Sequence, residues 1–69
     1  MTTSERPQWV ETVQQRLNEL DVSWNRMARG IGVSVSLFSR AKSGSLPLSA
    51  RVRHDMAIWL HRTEADLFG

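Results

Sequence analysis

Apolar residues recur along this chain at helical rather than strand spacing. Val10, Val13, Leu17 and Leu20 follow one another at steps of three, four and three, which predicts an amphipathic first helix. Pro7 suits its first turn, with Thr3 or Ser4 as cap and Glu5 placed favourably against the helix dipole. Trp9 extends the stripe or borders it, while Glu11, Gln14, Gln15 and Asn18 fall on the polar side. Asp21 and Val22 lead to a second helix, capped by Ser23 and running from Trp24 to about Ile31. Its inward face is Met27, Ala28 and Ile31, and Arg26 and Arg29 project outward. Gly30 inside this helix costs up to about 1 kcal/mol relative to alanine. It either admits a close backbone neighbour or is tolerated beside the turn.

Gly32 and Val33 form a tight turn, with Val33 tucked toward the core. Ser34 then caps a third helix, Val35 to about Lys42, that turns Phe38 and Ala41 inward. Val35, Ser36, Ser39 and Arg40 face out, with Leu37 at the flank. A helix exposed merely to water more often carries Glu, Lys and Gln there; small side chains and one Arg let a backbone sit deep in a groove. Gly44 ends this helix, and Ser43 to Pro47 is a loop by its turn chemistry. Ser49 caps a fourth helix, roughly Ala50 to His61, with Val52, Met56, Ala57, Trp59 and Leu60 as its apolar positions. Thr63 and Asp66 are spaced as a capping box for a last short helix, Glu64 to Phe68. The fold class expected is all-α, a single domain over residues 1–69 with residues 1–5 as a flexible arm.

Charge sharpens this picture. The net charge is only +2, but all seven acids lie before Val22 or after His54. Between those residues stand Arg26, Arg29, Arg40, Lys42, Arg51 and Arg53, with no acid among them. A one-signed central segment points to a polyanion, the simplest being nucleic acid; the alternative is a solvated charged surface, which usually shows mixed signs. Cysteine is absent, which removes disulfides and thiolate metal sites and suits a reducing compartment. His54 and His61 lack the neighbours a metal site needs, so neither metal nor cofactor is expected. No apolar run approaches the roughly 20 residues of a membrane span. The start MTTSERPQWV has no signal-peptide core, so a cytoplasmic location is expected. No nucleophile–base order, Gly-rich phosphate loop or paired-carboxylate motif predicts an enzyme.

Several pieces in fixed order carry a resemblance. They are Met27-Ala28, Ile31-Gly32-Val33-Ser34, Phe38-Ser39-Arg40 and Gly44, then Pro47-Leu48-Ser49, Met56-Ala57 with Leu60, and Thr63 to Leu67. Together they resemble the Cro/CI (XRE) helix-turn-helix family of phage and bacterial repressors, over roughly residues 10–68. The resemblance implies a five-helix lambda-repressor-like domain whose third helix enters the DNA major groove. Carried over by position, it implies base contacts at Val35, Ser36, Ser39 and Arg40. Of these Arg40 has the strongest chemistry, a bidentate fork for guanine O6 and N7. Backbone contacts are implied at Ser23, Trp24, Arg26, Arg29, Leu37, Lys42, Ser43, Gly44, Ser45 and Arg51. One departure stands out. The family often has Gln where this chain has Trp24, whose indole N–H either donates to a phosphate or belongs to a packing residue. Arg51 and Arg53 either reach phosphates or pair with Asp55 as solvated charges.

The function implied is a sequence-specific regulator of double-stranded DNA, a Cro-like repressor binding a palindromic operator as a homodimer. Its recognition helices would lie about 34 Å apart, one DNA turn. Trp59, Leu67 and Phe68 lie where the family forms dimer contacts, with core burial the expected role for at least two of them. The chain reaches Gly69 without an effector domain, so control through protein concentration is expected rather than through a small-molecule effector. The alternative is an antitoxin-like or anti-repressor interaction module that keeps the fold with little specific DNA binding.

Overall fold

In the computed structural model, which describes residues 7–69, the chain forms five helices and, among the described residues, no strand. They are α1 (Gln8–Leu20), α2 (Trp24–Ile31), α3 (Val35–Lys42), α4 (Ala50–Leu60) and α5 (Glu64–Phe68). The all-α expectation holds at this level. The arm expected at residues 1–5, and the caps Thr3 and Ser4 with Glu5, lie outside the described residues. Pro7 is the N-cap itself rather than part of the first turn, and no side chain caps α1. The other four helices start as their sequences dictate: Ser23, Ser34, Ser49 and Thr63 each accept from the backbone N–H three residues on. At α5 the box closes, with Asp66 accepting from the Thr63 amide.

The first four helices end the same way. After each, one residue takes a left-handed conformation (Asp21, Gly32, Gly44 and His61) and two amides fold back onto the last carbonyls. Val22 donates to Leu17 at 3.0 Å, Val33 to Ala28 at 2.8 Å, Ser45 to Arg40 at 3.0 Å and Arg62 to Ala57 at 3.0 Å. The residue after the left-handed one is apolar at Val22 and Val33, and both pack against the core. This accounts for Val33, an apolar residue in an otherwise polar bend. Helix α4 stops at Leu60, one residue short of expectation, because His61 is the left-handed terminator.

Val13 and Leu17 of α1, Met27 and Ala28 of α2, Phe38 of α3, Met56, Ala57 and Leu60 of α4, and Leu67 of α5 make one core. Helix α2 sits against both α3 and α4, and α1 against α5. Arg16 fastens α1 to the far end of α4. Its Nε donates to the Leu60 carbonyl at 2.8 Å, and one guanidinium nitrogen reaches Glu19 at 3.0 Å. Gly30 has its explanation in α4: a Cβ there would stand 2.8 Å from Cε2 of Trp59 and overlap the indole Nε1. Gly30→Ala gains up to about 1 kcal/mol in helix propensity, but forces the indole to move at an overpacking cost of about 1–3 kcal/mol. Thermal unfolding of this variant is expected several degrees below wild type. An unchanged or raised midpoint would mean that Trp59 swings aside at no cost.

Candidate nucleic-acid interface

Helix α3 divides as its pattern requires. Phe38 and Ala41 are buried, Leu37 is half-buried at the flank, and Val35, Ser36, Ser39 and Arg40 are exposed. Val35 and Ile58 are the large apolar side chains left exposed among the described residues. The Ser34 hydroxyl takes the Leu37 amide, and the Val35 and Ser36 amides have no acceptor among the described residues. The start of α2 repeats this arrangement: Ser23 takes the Arg26 amide, and those of Trp24 and Asn25 have no acceptor among the described residues. Two helix N-termini with spare amides suit an anion.

No ion pair among the described residues engages Arg26, Arg29, Arg40, Lys42 or Arg53. Among the described residues, these five cations are therefore not paired with a carboxylate. Arg51 differs: its Nε lies 3.5 Å from Asp55 one helical turn on. This exposed pair is worth about 0.3–0.5 kcal/mol, so Arg51 can exchange it for another anion. His54 faces Glu64 at 3.3 Å, joining α4 to α5.

Two expected sets of backbone contacts look different in the structure. In the loop, the Ser43 hydroxyl donates to the Arg40 carbonyl at 2.9 Å. With its single proton spent there, Ser45 must be the donor in the 3.0 Å contact between the two hydroxyls. The Ser43, Gly44 and Ser45 amides bind the Ser39, Ala41 and Arg40 carbonyls. The loop is a closed helix terminus, and each of its donors would have to give up a bond to reach a phosphate. At Trp24 the alternatives resolve toward packing. The half-buried indole donates to Gln14 Oε1 at 2.6 Å and meets Trp9 and Phe38 edge-on, at centroid distances of 6.1 and 5.8 Å. Its N–H is thus not available to a phosphate.

Gln14 is the residue that the sequence pattern misplaced. It is half-buried at the edge of the apolar face, four residues from Val10 and three from Leu17, and that spacing was the available signal. Also unforeseen is Lys42, whose ammonium lies 4.5 Å over the Trp24 ring. Leu67 is buried in the chain's own core, which removes it as a dimer contact. Phe68 is half-buried against Trp9, and Trp59 half-buried over Gly30. Ile58, 60% exposed beside Trp59 in a shallow groove with Ile31 and Asp55, has no role in the core. Comparisons with protein-family models, curated proteins and solved structures give no match.

Proposed function

We propose that α2, the Gly32–Val33 turn and α3 form a DNA-binding helix-turn-helix in a lambda-repressor-like domain of Cro/CI type. On this reading the chain is a sequence-specific transcriptional regulator, a repressor of phage or mobile-element kind acting at the bacterial nucleoid. The observation that carries it is the outward face of α3. Val35, Ser36, Ser39 and Arg40 are exposed and small or forked, and the cations Arg26, Arg29 and Lys42 of the same acid-free segment have no ion-pair partner among the described residues. Such a helix can lie against base edges, whereas Arg26 and Arg29 beside it serve phosphates. A protomer measuring 34 × 23 × 21 Å is narrow enough for two to sit side by side. Two copies can then present α3 to successive major grooves about 34 Å apart. This supports a homodimer on a near-palindrome, with Trp59 and its exposed neighbour Ile58 as the apolar surface for association.

Fluorescence anisotropy on DNA from around the protein's own gene, against random DNA at several salt concentrations, tests this reading. A specific reader keeps its preference as salt rises, and a purely electrostatic binder loses it. Arg26→Ala and Arg29→Ala are expected to weaken binding to all sequences alike and to lower the salt slope by about one each. A change in sequence preference in either variant would put these arginines at bases instead. The interaction-module reading keeps one supporting observation, the commitment of Trp24 to Gln14. Equal affinity for all DNA would favour it.

A further inference from the structure

The start of α2 and the end of α3 meet at Trp24 and Lys42. Trp24 is held from three sides: by Gln14 at its N–H, by the Trp9 ring and by the Phe38 ring. Gln14 is itself steadied by its Nε2, which donates to Asn18 Oδ1 at 3.0 Å. The indole plane is therefore fixed by α1 and α3 before any ligand arrives. Its face carries the Lys42 ammonium, 4.5 Å from the ring centroid. Lys42 is half-buried, has no carboxylate partner among the described residues, and belongs to the acid-free segment. An ammonium on an aromatic face uses one side of its charge and keeps N–H donors for a second anionic partner.

Resting on the DNA-binding reading above, we propose that Trp24 is a positioning residue for Lys42. It presents the ammonium, already ordered, as an anchor for one DNA phosphate at the α2–α3 seam. Trp24 thereby acts on the phosphate through Lys42, by stacking, rather than by direct contact. A lysine on an open surface must give up its rotamer freedom when it binds. Here that ordering precedes DNA, and the phosphate completes a stack of indole, ammonium and anion. The indole itself never touches the backbone.

The test begins with NMR of the wild-type protein, free and on duplex DNA. The Lys42 ε-methylene resonances are expected to be shifted upfield by the indole ring current, and to stay so on DNA. Lys42→Met is expected to weaken binding about threefold to tenfold on all sequences and to lower the salt slope by about one. Trp24→Leu is expected to weaken binding while leaving that slope in place, since the charge remains. Its effect should vanish in the Lys42→Met background. Trp24→Phe keeps an aromatic face and should recover most of the loss, which covers the case in which Trp24→Leu does not fold. Additive losses in the double variant would make Trp24 a packing residue only, and overturn the proposal. So would Lys42 resonances that lose their shift on DNA, or were never shifted, while the protein still binds specifically. Absence of DNA binding by the wild type overturns the functional reading and this role with it, which separates the two failures.

Discussion

Replacing Phe38 by alanine is expected to bring the domain to the edge of unfolding at 25 °C. Phe38 is the largest of the fully buried side chains and the core's anchor on α3. Truncating a buried Phe costs roughly 3–5 kcal/mol. At roughly 0.05–0.15 kcal/mol per residue, a chain of 69 residues holds only about 3–10 kcal/mol in total. The chain has no cysteine, so no disulfide offsets the loss. The cost also spreads, because the Phe38 ring supports the edge of Trp24 and hence the α2–α3 seam. Circular dichroism during heating should show the helical signal lost tens of degrees below wild type. A drop of less than about 10 °C would mean that neighbouring side chains refill the space, a collapse that the tight packing of interiors argues against.

Helix starts and stops were legible because their determinants are local. Ser23, Ser34, Ser49 and Thr63 cap within three residues of themselves, and Gly32 and Gly44 take the left-handed conformation that ends α2 and α3. His61 is a less legible terminator, since histidine favours the left-handed region more than most residues but far less decisively than glycine. Which residues of α3 face outward was also legible, since Phe38 and Ala41 define the buried side by spacing alone. What could not be read were relations between distant positions. Sequence leaves two explanations each for Gly30 and Trp24; Trp59 packed against Gly30, and Gln14 accepting from the Trp24 N–H, decide between them. Gln14 looked polar and therefore outward, although its spacing from Val10 and Leu17 put it at the apolar edge. The loop after α3 looked rich in donors, because composition does not reveal that Ser43 and Ser45 bond to each other and to Arg40. Leu67 could close the core or meet a partner, and only its burial separates the two.

Arg40→Ala is expected to abolish preference at one base pair in each half-site while leaving the fold intact. The Arg40 backbone is fixed: its carbonyl accepts from the Ser43 hydroxyl at 2.9 Å and from the Ser45 amide at 3.0 Å. Its exposed guanidinium has no ion-pair partner among the described residues, so truncation removes no internal contact. Stability should change by no more than about 0.5 kcal/mol, in contrast to Phe38→Ala two positions earlier. A bidentate contact to guanine contributes roughly 1–3 kcal/mol of discrimination. The proposed homodimer loses two such contacts, so affinity for its operator should fall about 30-fold to 2 × 10⁴-fold. Random DNA should lose far less, because only charge is removed there. Arg40→Lys separates the two contributions, since it keeps the charge and loses the fork; it should restore the salt slope but not the preference. Val35, Ser36 and Ser39 offer weak base chemistry, so any specificity that survives Arg40→Ala should track DNA shape rather than single base pairs. Titrations on operators substituted one base pair at a time check this. A specificity profile unchanged by Arg40→Ala would mean that α3 enters the groove in another register, with its first turn rather than Arg40 at the base edges.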